Sequence, residues 1–149
     1  MIEYSNILAV VEPERENQPA ISRAIELAEK TGASITALMT IYDFSYEMTT
    51  MLSGEEREAM RQAVVNERTA WLKDQLAEYG QPIEAAVEGN NRPYEAIIKY
   101  ALASKADIVV KATRSHDDLR SVIFTPTDWH LVRKCPAPVL LVKEHDWPR

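Results

Sequence analysis

The chain has 149 residues, a length that suits one domain able to bury a core without disulfides or metals. Its 46% hydrophobic and 27% charged residues are ordinary for a soluble globular protein, and no apolar run approaches the roughly 20 residues that cross a bilayer. The net charge of −6 argues against nucleic acid as a partner, and an N-terminus with no basic leader predicts a cytoplasmic protein.

The first predicted elements are a strand, a helix and a second strand. Residues 6–12, NILAVVE, form an unbroken apolar run, which is typical of a parallel strand covered by helices on both faces. Pro19 suits a first helical turn, and apolar residues then recur at helical spacing until Gly32. Residues 34–41, SITALMTI, predict the second strand.

The middle of the chain predicts a long helix, a third strand and a further helix. Residues 54–79 contain no proline and carry apolar side chains along one broad side, so we expect a long amphipathic helix. Gly80 and Pro82 break this pattern before a strand at 83–88, and Pro93 opens the next helix.

The last third predicts two more strands, at 107–112 and 137–142, with a helix between them. Five strands alternating with four helices predict an α/β protein, a three-layer α/β/α sandwich on a five-stranded parallel sheet. In such sheets the ligand crevice lies outside the carboxyl ends of the strands. The loops after the first four strands are therefore the candidate binding loops.

Phosphate binding in that crevice needs glycines, which let backbone N–H groups approach the oxygens at a helix N-terminus. The chain has four glycines, at positions 32, 54, 80 and 89, and none after residue 89. A glycine-rich phosphate loop after the fourth strand is therefore excluded.

Four segments, NILAVVE, VEGNNRPYEAI, ADIVVKAT and VRKCPAPVLLV, resemble successive parts of the universal stress protein family. The resemblance runs from end to end and implies a Rossmann-like fold of the adenine nucleotide alpha hydrolase type. It assigns 1–144 to one universal stress protein domain and 145–149 to a tail or the start of an interdomain linker. The segments YDFSYEMTT and HDDLRSVIFTPTDWHLVRKCPAP are closer still to the first half of tandem-domain members.

Members of this family usually place an aspartate after the first strand, against adenine and ribose, and a G-x2-G-x9-G-S/T segment around the phosphates. Here Glu12 stands in the aspartate position. Ala112, Ser115, Thr125 and Pro126 fall on the three glycines and the hydroxyl residue. The resemblance therefore implies a degenerate ATP site and no cofactor.

The replaced end of that motif predicts a self-capped helix. Pro126 has no N–H to give a phosphate. Thr125, Pro126 and Asp128 instead suit an N-cap, a first helical position and an acid in the first turn. Asp128 also adds negative charge where an anion would sit.

Other residues near the crevice leave alternatives open. The apolar loop with Tyr42 and Phe44 can line a pocket, dock against a partner or fold over its own core. Arg92 can meet an anionic head group together with the loop after the fourth strand. That loop takes a basic character from Lys111, Arg114, His116 and Arg120. Asp117 and Asp118 dilute this charge, which favours a solvated surface.

No metal site is expected, because the three histidines lie far apart and Asp128 and His130 point in different directions on a helix. Cys135 is interpreted as a small buried hydrophobic residue rather than a redox group.

The first functional hypothesis is a non-enzymatic stress-response domain that acts by protein association, since no positioned nucleophile and base are visible. Its expected partner is a second domain of the family, in a homodimer or a tandem protein. The association edge is the terminal strand, with Val139, Leu140, Leu141 and Val142. One alternative is a binder of a small apolar or anionic metabolite or lipid. Another is a weak ATP-binding or ATP-hydrolysing protein that uses Glu12 with Asn90 or Asn91.

Overall fold

The secondary structure alternates strands with helices. The computed structural model describes residues 4–13, 15, 17–42, 51–116 and 121–143, and for 114–116 and 121–123 it describes the backbone alone. The helices are α1 (Pro19–Thr31), α2 (Gly54–Ala77), α3 (Pro93–Ala103) and α4 (Pro126–Lys134). The strands are β1 (Asn6–Val11), β2 (Ser34–Ile41), β3 (Glu84–Gly89), β4 (Ile108–Ala112), β5 (Arg114–His116), β6 (Ser121–Ile123) and β7 (Val139–Val142).

Five of these strands form one parallel sheet in the order β3-β2-β1-β4-β7. The sheet's two faces are covered by different helices, because successive residues of a strand point to opposite sides. Ile7, Ala9 and Val11 of β1 pack with α1 and α2, whereas Leu8 and Val10 pack with α3 and α4. The predicted three-layer α/β/α sandwich is confirmed.

The element boundaries follow local chemistry. Helix α2 begins at a capping box in which the hydroxyl of Ser53 accepts from the Glu56 N–H at 3.1 Å and the Glu56 carboxylate accepts from the Ser53 N–H at 3.3 Å. It ends at Ala77, slightly before the predicted end. Strand β7 begins at Val139 rather than at residue 137, since Pro138 has no N–H to donate to the sheet.

A short antiparallel hairpin, β5 with β6, lies between β4 and α4 and was not predicted. Each of its strands has three residues. Such short strands give almost no alternating pattern in a sequence, which explains why the segment was interpreted as a loop.

The two edges of the sheet differ in chemistry. β3 carries the exposed side chains of Glu84 and Glu88, while β7 is apolar throughout. Burial, followed by the charges of Glu84 and Glu88, raises the pKa of Tyr100 on the neighbouring helix α3. Across the described ranges of the chain, no helix combines the length and apolar character needed to cross a membrane.

Candidate functional site

The carboxyl ends of β1, β2, β3 and β4 meet at one edge of the sheet because these strands are parallel. Glu12 follows β1, Tyr42 follows β2 and Asn90 follows β3. The Asn90 N–H donates to the carbonyl of Ile41 at 2.9 Å, which joins two of these loops. The structure thus places the loops named from the sequence at one edge of the sheet, the edge where the crevice was expected.

The loop after β1 is held by Gln18, which is 4% exposed. Its side-chain oxygen accepts from the Glu12 N–H at 3.0 Å, and its side-chain nitrogen donates to the carbonyls of Glu12 at 2.8 Å and Arg15 at 2.9 Å. The Glu12 carboxylate accepts from Arg15 at 2.6 Å. Gln18 was missed in the sequence, where only its place directly before Pro19 marks it.

The turn into α3 uses two predicted residues for its own folding. The Asn90 side-chain oxygen accepts from the Arg92 N–H at 2.7 Å. The Arg92 guanidinium donates to Glu95 at 3.2 Å, and this hydrogen bond raises the pKa of Arg92. Tyr42 is 47% exposed at the end of β2, and Phe44 lies outside the described residues.

The N-terminus of α4 is capped from within, as predicted. The hydroxyl of Thr125 accepts from the Asp128 N–H at 3.3 Å, and the Asp128 carboxylate accepts from the Thr125 N–H at 2.9 Å. Pro126 occupies the first helical position. Two of the N–H groups that could meet an anion there are therefore already bonded, and the proline offers none.

The Asp128 carboxylate also forms an ion pair with Lys111, whose ammonium nitrogen lies 2.6 Å away. The Lys111 side chain is 9% exposed and the Asp128 side chain 1%. The ammonium donates further to the carbonyl of Ala112 at 3.2 Å. We call these two residues the buried ion pair.

The interpretation of Lys111 as part of a basic surface loop was wrong, because this lysine lies inside β4 and under α4. The sequence did hold a signal, since a charge within the apolar run DIVVKA needs a partner once the strand is buried. Ala112, at the end of the same strand, is buried, and Ser115 lies in β5.

Aromatic and basic side chains join α3 to α4 beside the crevice. His130 stacks on Tyr94 with ring centroids 4.1 Å apart, and the ammonium of Lys134 lies 5.1 Å from the Tyr94 centroid. Within the part of the chain that the structure describes, no three histidine, cysteine or acidic residues are grouped to hold a metal ion.

The residues of the predicted association edge lie apart from the crevice. Among the residues that the structure describes, β7 pairs with β4 alone, and its four residues, Val139, Leu140, Leu141 and Val142, are half-buried. The carbonyl of Pro138 accepts from the Val109 N–H of β4, and that of Val142 from the N–H of Thr113, directly after β4. Because alternate residues of a strand direct their backbone groups to opposite sides, Val139 and Leu141 direct theirs to the open edge.

Comparisons with known proteins agree with this architecture. Residues 3–143 match the family model described as "Universal stress protein family". The chain is 52% identical over 151 residues to Universal stress protein E of Salmonella typhi, covering 99% of this chain and 48% of that protein. It is 40% identical over 153 residues to the Universal stress protein E homolog of Haemophilus influenzae, covering 98% and 50%.

Among solved structures, universal stress protein UspA from Lactobacillus plantarum superposes with a TM-score of 0.69 at 19% identity, covering 95% of this chain and 99% of that one. The expected resemblance to a longer member of the family is confirmed by the Salmonella typhi relative, of which this chain covers 48%. The chain spans about half the length of the curated relatives it matches.

Proposed function

The chain belongs to the universal stress protein family, and from this membership we propose that it is a non-enzymatic, cytoplasmic stress-response domain with a degenerate ATP site. In this proposal the place of the ATP phosphates is taken by the protein's own side chains. The domain then acts by associating with a second domain of the family through the open edge of β7.

The buried ion pair is the observation that carries this proposal. A helix N-terminus attracts anions because its N–H groups and dipole present partial positive charge. At α4 an internal carboxylate already meets that charge, since Asp128 accepts from the Thr125 N–H at 2.9 Å. Lys111, the nearby cation that a phosphate would use, is neutralised by the same carboxylate at 2.6 Å.

A phosphate entering at this position would have to separate the buried ion pair. If the Asp128 carboxylate moved aside, the Lys111 ammonium would be buried without its partner. If the carboxylate stayed, it would repel the phosphate at short distance. Both arrangements cost free energy, so ATP binding is expected to be weak or absent.

The other half of the crevice supports the same conclusion. Glu12 stands at the position that contacts adenine and ribose in the family, and its carboxylate accepts from Arg15 at 2.6 Å. The backbone N–H and carbonyl of Glu12 are both hydrogen-bonded to the Gln18 side chain. Asn90, a substitute weighed for a weak nucleotide site, accepts from the Arg92 N–H. Arg92, weighed for an anionic head group, donates to Glu95.

Isothermal titration of the purified chain with ATP and Mg²⁺ tests the proposal. No binding heat at millimolar ATP is expected, because the buried ion pair stays intact. Binding at micromolar ATP would contradict the degenerate site. ADP release in the same solution, measured over hours, would contradict the non-enzymatic assignment.

A second candidate is a small apolar or amphipathic ligand in the crevice, which the 47% exposure of Tyr42 at the end of β2 favours. Native mass spectrometry of the chain as purified distinguishes it. A bound mass that disappears on denaturation would support the ligand-binding function, and a bare protein mass would support association alone.

A further inference from the structure

A cleft opens at the amino ends of β1, β2 and β3, at the edge of the sheet opposite to the crevice. Its volume is about 250 Å³. Its polar lining consists of Asn6, Ser34, Thr36, Glu84, Tyr100 and Ser104. We call it the amino-edge cleft. No residue of this lining belongs to the degenerate ATP site or to the β7 edge described above.

One row of side chains across three strands forms the floor of the cleft. The sheet register places Leu8 beside Thr36 and Thr36 beside Glu84. Leu8 packs in the core cluster that contains Ile97 and Ala101 of α3. Neighbours in register point to the same face of a sheet, so Thr36 and Glu84 also point to the α3 face. Leu8 is buried and Glu84 is exposed, so the cleft has an apolar inner end and an acidic mouth.

The wall of the cleft is formed by α3 and the turn that follows it, and hydrogen bonds fix it in place. The Ser104 hydroxyl donates to the carbonyl of Tyr100 at 2.7 Å. The Asn6 side chain donates to the carbonyl of Lys105 at 3.3 Å and accepts from the Ser34 hydroxyl at 3.1 Å. These polar groups are satisfied within the protein, so the cleft exists before any ligand enters.

Three other polar side chains of the cleft are available to a ligand. Among the residues that the structure describes, Thr36, Glu84 and Tyr100 have no side-chain hydrogen bond or salt bridge. Burial, followed by the charges of Glu84 and Glu88, raises the pKa of Tyr100. The Tyr100 hydroxyl therefore stays protonated at neutral pH and can donate a hydrogen bond.

The charge of the cleft selects the sign of its ligand. Glu84 is the one charged residue in the described lining, and Glu88 adds a second negative charge near Tyr100. A carboxylate beside an aromatic ring suits an ammonium group, which forms a charge-assisted hydrogen bond with the former and a cation–π contact with the latter. One carboxylate is too few for a calcium or magnesium site, which favours an organic cation.

We propose that the amino-edge cleft binds a small organic ammonium ion that also carries a hydroxyl group, that is, an amino alcohol. Its ammonium group pairs with the Glu84 carboxylate, and its hydroxyl group bonds to Thr36 or Tyr100. A volume of about 250 Å³ lies just below the range of pockets for drug-sized molecules, so the ligand is small. This site is independent of the function proposed above and lies at the other edge of the sheet.

Titration of the isotope-labelled chain with aminopentanol, a linear amino alcohol with its two groups at opposite ends, tests the proposal by NMR. We expect saturating shifts of the amide signals of Thr36, Glu84 and Ser104 at millimolar ligand. Pentanediol has the same length with a hydroxyl group in place of the ammonium group, and it should give no saturating shift. Equal binding of the diol would overturn the recognition of charge.

The position of the shifts also decides the matter. Shifts centred on Asn90 and Ala112 would place the ligand in the crevice at the carboxyl ends and would overturn the site. The absence of a saturating shift at either edge would overturn the proposal as a whole.

Two matched variants assign the binding to one carboxylate. Glu84→Gln keeps the size of the side chain and removes its charge, so the dissociation constant should rise at least roughly tenfold. Glu67→Gln makes the same change of net charge at an exposed position of α2, on the other face of the sheet, and should bind like the native chain. Equal weakening in both variants would show a general attraction to an acidic protein and would overturn the site. The amide spectrum of each variant checks that it is folded.

Discussion

Asp128 makes the central contacts of the candidate site. Its carboxylate accepts from the Thr125 N–H at 2.9 Å, lies 2.6 Å from the Lys111 ammonium and is shielded from solvent. A single side chain therefore caps α4, neutralises a buried lysine and occupies the anion position at the helix N-terminus. Its removal affects stability and anion binding together.

Asp128→Ala is expected to lower the free energy of unfolding by about 3–5 kcal/mol, since it leaves a buried ammonium unpaired and removes a helix cap. Urea denaturation measures the loss. The matched control is Lys111→Met combined with Asp128→Asn, which removes both charges and keeps an acceptor for Thr125. A double variant as unstable as Asp128→Ala would contradict the pairing explanation.

The same single variant should gain affinity for small anions. With the carboxylate gone, Lys111 and the α4 N-terminus are left as an unsatisfied cationic site. Inorganic phosphate should then raise the melting temperature of Asp128→Ala more than that of the native chain, by mass action on the folded state. Equal shifts in the two proteins would argue against an anion position at this helix.

At the scale of single residues, the sequence predicted the helix cap at α4 but not the ion pair of Asp128 with Lys111. Thr125, Pro126 and Asp128 are close in the chain, and their order alone predicts a capped helix start. The contact between Lys111 and Asp128 depends on how α4 packs over β4, which no local pattern encodes. Gln18 was missed for a different reason: its partners Glu12 and Arg15 are near in the chain, but hydrogen bonds inside a loop follow no periodic pattern.

At the scale of elements, helices α1 and α3 are each followed by a residue with a left-handed backbone conformation. Helix α1 ends at Thr31 and is capped by Gly32, whose φ of 75° is left-handed and whose N–H donates to the carbonyl of Ala28 at 2.7 Å. After α3 the left-handed position is held by Lys105 instead, with a φ of 54°, and the Ala106 N–H donates to Ala101 at 2.9 Å. A side chain at such a position is strained.

Lys105→Gly should therefore raise the free energy of unfolding by about 1 kcal/mol, because glycine adopts this backbone without the steric cost. Lys105 is exposed, so little packing is lost. Thermal unfolding measures the effect. Gly32→Ala is the converse control and should lower stability by a similar amount; no other atom lies within 4 Å of the added Cβ.

Asp107 ties the beginning of β1 to the turn before β4 and makes this link pH-dependent. Its carboxylate accepts from the N–H groups of Ser5 at 2.7 Å and Asn6 at 2.8 Å, with Asn6 the larger contribution to a lowered pKa. A lowered pKa means that the folded state binds its proton less readily than the unfolded state does.

The stabilisation by Asp107 should thus be present above roughly pH 4 and disappear as the pH falls through its folded pKa. Asp107→Asn, which does not titrate, should melt at a lower temperature than the native chain at neutral pH. The difference should shrink in acid. A difference that stays constant from neutral pH to pH 3 would contradict this assignment.

The helices and the strands of four or more residues were predictable because a buried helix or strand shows a periodic or unbroken apolar pattern. The parallel strands of the main sheet, β1 and β2 above all, were recognisable as unbroken apolar runs with clear breaks around them. The hairpin of β5 and β6 was not, since its strands have only three residues each and are too short to show a period.

At the scale of the molecule, β1 couples the two sides of the sandwich. Ile7 faces the core cluster under α1 and α2, and Leu8 faces the one under α3 and α4. Displacing this strand would expose both clusters at once, so neither layer is expected to unfold without the other.

Denaturation followed at two tryptophans checks this cooperativity. Trp71 lies in α2 and Trp129 in α4, on opposite faces of the sheet. Chains that keep only one of them, with phenylalanine at the other tryptophan positions, should show transitions at the same urea concentration. Separate midpoints, with native-like stability in both variants, would show that the layers unfold independently.

The whole architecture was the most predictable level, because the order of strands and helices leaves few topologies for a parallel sheet. What the chain does depends on a handful of side chains and on its surface. Those features follow from three-dimensional packing, as the unpredicted contact of Lys111 with Asp128 and the exposed Trp129 both show.

The acidic edge at β3 sets a limit on assembly. A sheet that offers two compatible edges can add copies without end and grow into fibres. Glu84 and Glu88 give β3 exposed negative charges, which would have to be desolvated against the apolar edge of another copy or would repel a second β3. These charges would therefore disfavour the addition of another sheet at β3, which leaves β7 as the edge better suited to pairing.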